Sequence, residues 1–204
     1  MNKRHIIPSI IILALGIWFI FMPEVDNSNP ELSPTELLSA MNESSRFYSS
    51  DEIADLLIQN DPGILLIDVR SEEEFKKFTL PGAINIPLEQ LLNNEWEAYI
   101  DQDSRNNIFF GNDELNAESA WILCTRKGYK NNYVLSGGIN NWFETIINPE
   151  MPKESNSEEA LHLYQQRLAA SQFFTGGTAI SAPKKANKKP GPKRAKKKRA
   201  EGGC

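Results

Sequence analysis

Two side chains in this chain can supply nucleophilic sulfur, Cys124 and Cys204. They lie far apart, with no CxxC and no metal-like spacing, so they indicate neither a disulfide framework nor a metal site, and no cofactor is implied. Cys124 stands beside Ile122 and Leu123 in a helical stretch and is expected to be a buried core thiol. Cys204 is the last residue, on Gly202-Gly203 after a run of lysines and arginines. Neighbouring cations favour the thiolate, so Cys204 is the thiol expected to be reactive if either is. The segment Gly111-Asn112-Asp113-Glu114-Leu115-Asn116-Ala117 follows an apolar run and opens a helix. Such a helix start offers N–H groups to an anion, but Asp113 and Glu114 already bring negative charge there.

The elements that must position these groups follow from patterning. Ser49-Ser50-Asp51-Glu52 reads as a capping box, with Ile53, Leu56 and Leu57 on one face of the helix it opens and Asp61-Pro62-Gly63 as its stop. Ile64 to Val69 is a short apolar run expected of a central parallel strand. A short helix over 71–78, a second strand over Ala83–Ile86, a helix from Pro87 through Leu92 and a third strand at Ile108–Phe110 come next. A helix from Glu114 to Lys127 follows, with acids in its first turn, bases in its last and Gly128 just past its end. Asn132–Leu135 is a fourth strand and Ile139–Ile147 a closing helix. Strands alternating with helices predict an α/β fold, a parallel sheet flanked by helices on both faces.

Outside this body the chain changes character. Ile6 to Met22 is apolar apart from Pro8, Ser9 and Gly16, close to the roughly 20 residues that span a bilayer. Lys3, Arg4 and His5 precede it, whereas Glu24, Asp26 and Glu31 follow it. The expectation is an uncleaved N-terminal transmembrane helix, or signal anchor, with its N-terminus cytoplasmic and the remainder extracytoplasmic, on the periplasmic side in a bacterium. A cleaved signal peptide is the rival reading, against which stands the lack of an A-x-A-like site. Residues 24–47 read as a spacer with a short helix from Thr35, 48–148 as the body, 149–176 as a C-terminal segment with a helix over Glu158–Ser171, and 177–204 as a disordered Lys/Arg-rich tail.

Charge is uneven. The chain carries -5 overall, but residues 183–204 hold ten basic side chains and one acid, +9, which leaves -14 for the rest. A tail of this kind holds polyanions by charge. With the predicted topology its partner is anionic lipid or an envelope polymer, and nucleic acid is disfavoured. Each basic residue near such a surface contributes at most about 1 kcal/mol, and salt weakens this.

Three passages together resemble the rhodanese-like domain family. They are Ile67-Asp68-Val69-Arg70 followed by Glu72-Glu73-Glu74-Phe75, then Leu80-Pro81-Gly82-Ala83-Ile84-Asn85-Ile86-Pro87, then Gly128 through Ser136-Gly137-Gly138-Ile139 closing on Trp142. Asp68, Arg70, Gly82, Gly137, Gly138 and Trp142 are the scaffold positions. Asp68 is expected to cap a backbone turn, Arg70 to hold a carboxylate of the next helix, and the glycines to serve tight or positive-φ backbone.

The resemblance implies sulfurtransferase chemistry (EC 2.8.1 class) by a loop cysteine directly after the strand Ile108–Phe110. Counting back from Gly128 places that cysteine at Gly111, or at Asn112 in a loop one residue shorter, and no cysteine occurs from Gly111 to Ser119. The family's arginine near Asn116 is missing, and its Gly-His before the Leu-Pro-Gly-Ala passage is replaced by Phe78-Thr79. Phosphatase-like chemistry on this fold needs the same loop cysteine. The expectation is therefore a membrane-anchored pseudoenzyme: a binding or scaffolding module that takes a protein or a small polar ligand at the vestigial loop. The alternative is a sulfurtransferase or sulfur carrier that uses Cys204.

Overall fold

The structure, a computed structural model, describes residues 12–14, 31–152 and 157–177. The predicted transmembrane helix falls almost wholly outside these residues. The Lys/Arg-rich segment with Cys204 lies outside them entirely. Among the described residues no helix is long and apolar enough to cross a membrane.

Helix α1 (Pro34–Met41) starts on a capping box in which the Ser33 side chain accepts from the Glu36 amide and Glu36 accepts from the Ser33 amide. Strand β1 (Phe47–Tyr48) leads into α2 (Ser50–Ile58), which Ser49 and Glu52 cap in the same way, as the sequence predicts. The order continues β2 (Ile64–Asp68), α3 (Glu72–Lys77), β3 (Ile84–Asn85), α4 (Asn94–Ile100), β4 (Asn106–Phe110), α5 (Glu114–Arg126), β5 (Asn132–Leu135), α6 (Gly138–Trp142) and α7 (Glu158–Thr175).

All strand pairs are parallel, in the order β1-β5-β4-β2-β3. Side chains alternate faces along each strand, so neighbours in sequence enter different layers. Leu66, Ile108, Phe110 and Leu135 meet α2, α6 and α7. Leu65, Ile67, Phe109 and Val134 meet α5 and the 86–100 connection. Ile108, Phe109 and Phe110 are fully buried, each worth about 1.5–3 kcal/mol of burial. The helix-flanked parallel sheet expected from the alternating pattern is thus present.

Several elements differ from the sequence reading. The expected helix over Pro87–Leu92 is a single 3₁₀ turn, Leu88–Gln90, because Leu91 turns into the core and the chain reverses toward α4. Only Ile84–Asn85 of the second predicted strand pairs. The closing helix is α-helical to Trp142 and then widens to a π-helical turn, Phe143–Ile147, which turns Phe143, Ile146 and Ile147 into the core. Strand β1 and helix α4 are additional to the prediction, and α7 runs to Thr175 beyond the expected Ser171.

Candidate functional site

The site forms where the carboxyl ends of β2, β4 and β5 meet. At the end of β2, Asp68 is fully buried and Arg70 is nearly so. Asp68 Oδ1 accepts from the Arg70 amide at 3.1 Å and from Nε at 2.9 Å, and Oδ2 accepts from Nη2 at 2.6 Å. Thr79 donates its hydroxyl to Asp68 Oδ2 at 2.9 Å. The turn cap expected of Asp68 is present. The carboxylate expected for Arg70 in the next helix is not; its partner is Asp68 itself, two residues back. The tight turn after β2 folds the guanidinium onto that carboxylate, and its remaining donors reach the Phe78 carbonyl at 2.6 Å and Asn112 Oδ1 at 3.1 Å.

Asn112 joins this frame to the loop. It donates Nδ2 to Glu74 Oε1 at 2.7 Å. That hydrogen bond, ahead of those from Ser71 and the charge of Arg70, holds the Glu74 carboxyl below its ordinary pKa, against the opposing effect of partial burial. Glu74 is a site residue that sequence reasoning missed. Nothing local in Glu72-Glu73-Glu74 marks it as the one that meets a loop beyond β4.

The loop itself begins at buried Gly111. Gly111 and Asn112 turn their carbonyls to the start of α6, accepting from the amides of Ile139 at 2.9 Å and Asn140 at 3.0 Å. This approach requires Gly138. Its φ is +57°, and a Cβ there would stand 2.6 Å from the Gly111 oxygen and 2.9 Å from that of Asp113. Gly137 and Gly82 also have positive φ, +69° and +74°, as their glycine identity suggests.

The two loop acids spend their oxygens within the site. Asp113 caps α5 by accepting from the Leu115 amide at 3.0 Å. Glu114 reaches back to the glycine pair, where Oε1 accepts from Ser136 Oγ at 2.8 Å and from the Gly137 amide at 2.7 Å. Glu74, Asp113 and Glu114 gather here, and Arg70, the buried cation beside them among the described residues, is already matched to Asp68. The face is acidic.

Asn116 is exposed, and its Cβ would lie 3.6 Å from a Cβ built at Gly111. Ala117 is buried. Leu115, in the middle of the loop, points outward at 70% exposure. Cys124 is fully buried in the layer under α5, and desolvation pushes its thiol up to about 12, which leaves it inert. Trp142 is buried, with its ring edge on Phe174 at 5.1 Å.

Residues 49–145 match the family model of the rhodanese-like domain. A rhodanese domain-containing protein of Drosophila melanogaster, CG4456, is 33% identical over 99 residues that cover 42% of this chain and 86% of that protein. This chain belongs to the rhodanese-like domain family. Other relatives carry activities in their names. The mitochondrial thiosulfate sulfurtransferase RDL2 of Saccharomyces cerevisiae is 26% identical over 54% of this chain and 81% of its own length. A tRNA uridine(34) hydroxylase of Prochlorococcus marinus is 27% identical over 73% of this chain but only 46% of its own length. The chain spans about half or less of the first such curated relatives. The solved rhodanese-like domain of the Anabaena protein Alr3790 has 20% identity and a TM-score of 0.43, covering 55% of this chain and 88% of that one.

Proposed function

We propose that this chain is a membrane-anchored rhodanese-like module that binds a partner at the loop 111–117 and does not transfer sulfur. One observation carries the reading. The loop's two acids are already engaged with donors around it, Glu114 with the Ser136 hydroxyl and the Gly137 amide, and Asp113 with the Leu115 amide. The position assigned to the family's nucleophile is Gly111, which has no side chain to attack or to carry sulfur. An anionic donor such as thiosulfate would meet Glu74, Asp113 and Glu114, while Arg70 is matched to Asp68. Leu115, exposed beside these acids, gives the face an apolar contact for a protein or a small polar ligand with an apolar edge.

The anchor rests on the apolar run Ile6–Met22 and its flanking charges. The domain then stands on the extracytoplasmic side. The Lys/Arg-rich segment adds contact with anionic lipid or an envelope polymer. The test is transfer of sulfur from thiosulfate or 3-mercaptopyruvate to cyanide by the full-length chain. The expected rate equals that without protein, and clear turnover would sink the reading.

A second reading has its own support. A relative is named a thiosulfate sulfurtransferase, and Cys204 is a second thiol in a cationic setting. Turnover that vanishes in Cys204→Ser and survives Cys124→Ser would favour it.

A further inference from the structure

From Phe78 to Ser104 the chain contains five acids, Glu89, Glu95, Glu97, Asp101 and Asp103, and no lysine or arginine. They surround α4, which buries little beyond Ile100. Glu89, Glu95, Glu97 and Asp103 are exposed, and none of them takes part in the ion pairs of the described residues. The same stretch presents Leu92 at 45% and Tyr99 at 47% exposure, and Tyr99 leans on Trp96 at 5.9 Å. Beside it a groove of about 330 Å³ runs between α3 and α4, with Phe75, Pro87 and Trp96 in its lining and Lys76, paired to Glu72, at its α3 side. The Trp96 indole N–H is buried without an acceptor, a group that a peptide carbonyl satisfies. The negative field here is felt by a neighbour. Burial first, then the charge and hydrogen bond of Glu97 and the charge of Asp101, push the Tyr129 phenol up to about 12.

We propose that this acidic, aromatic face of α4 is the docking site of the chain's own basic segment, Lys184–Arg199. The proposal goes beyond the loop-binding reading and does not depend on it. Charge selects the occupant, since residues 183–204 carry +9 and the four exposed acids Glu89, Glu95, Glu97 and Asp103 take part in none of the ion pairs of the described residues. Lysine and arginine stems lie along Leu92, Tyr99 and the groove floor while their heads meet the carboxylates, and cations over Tyr99 gain a further attraction. The reach suffices. Seven residues from Gly177 to Lys184 extend at most about 25 Å and the chain to Arg199 about 75 Å, whereas a domain with a radius of gyration of about 14 Å is roughly 36 Å across, so the later lysines and arginines reach α4 even from the far side. Docked there, the segment shields the acids, and its contact with an anionic lipid or polymer must compete with this seat.

Zero-length carbodiimide coupling of the full-length chain tests this, on an equal mixture of ¹⁵N-labelled and unlabelled protein at low salt. Links from the lysines of 184–198 should reach Glu89, Glu95, Glu97 and Asp103 about tenfold more often than the equally exposed Asp55, Glu73 and Glu158. They should stay within one isotopic species and fall away near 0.5 M salt, where the Debye length is only about 4 Å. An even spread over all exposed acids overturns the proposal, as does a majority of links between labelled and unlabelled chains. The variant Leu92→Ser/Tyr99→Ser keeps every carboxylate. Its links to α4 should drop at least about threefold, and an unchanged yield would overturn seating on this face.

Discussion

Asn112 donates to Glu74 at 2.7 Å while accepting from Arg70 at 3.1 Å, so one loop amide ties an acid of α3 to the buried ion pair of β2. The link has a titration consequence. Because the folded pKa of Glu74 is lowered, its contribution to stability is present above the ordinary carboxylate range. It is lost as pH falls through the lowered folded value. Asn112→Ala should move the Glu74 titration up, toward its ordinary value. A pH series of carboxyl ¹³C shifts reads this directly, and an unmoved midpoint would contradict the link.

The pair Asp68–Arg70 should be more costly to break than to replace. Arg70→Leu leaves a fully buried carboxylate with only the Thr79 hydroxyl and the residue-70 amide as donors. The expected loss is about 3–5 kcal/mol by urea denaturation. Asp68→Leu/Arg70→Leu should cost clearly less than the sum of the two single changes.

Two glycines with similar φ should respond differently to alanine. At Gly82 a Cβ meets nothing within 4 Å, so only the strain of φ +74° is expected, about 1 kcal/mol. At Gly138 the Cβ would press on the carbonyls of Gly111 and Asp113, and the loop must move. Gly138→Ala should exceed the Gly82 cost and also speed hydrogen exchange at the Ile139 and Asn140 amides. Equal costs would show that the loop is not seated on the glycine.

Restoring a thiol should not restore sulfur chemistry by itself. Gly111 lies outside the positive-φ region, and a Cβ there comes within 3.3 Å of only one loop carbonyl, so Gly111→Cys should fold. Its thiol would lie among carboxylates, which disfavour the thiolate. Gly111→Cys/Glu114→Gln should show a lower thiol pKa, measured from the pH dependence of alkylation, than Gly111→Cys alone. The reverse order would refute the electrostatic account of this loop.

What the sequence reveals of this molecule follows from range. The capping box of Ser49 and Glu52, the strand at 132–135 and the ends of α5 rest on neighbours within a few residues, and they stand where patterning puts them. Strand β1 has two residues, too few for an alternation to show. Helix α4 has little apolar period beyond Trp96 and Ile100, and no side-chain cap to announce it. At the site, the glycines and the acidic loop are legible as residue types. The contacts of Glu114 with Gly137 and of Asn112 with Glu74 bridge distant segments, and no local pattern encodes them.

Helix α7 lies past the residues that match the family, yet it is fastened to them. Arg167 forks onto both oxygens of Asp51 at 2.8 and 2.6 Å, Ser171 donates to the Ile147 carbonyl, and Phe174 covers Trp142. A protease that cuts near residue 153 therefore need not release the C-terminal piece. The cooperative unit extends to Thr175, and a chain shortened to residue 148 would present Trp142, Phe143 and Ile147 to water as a sticky, aggregation-prone patch.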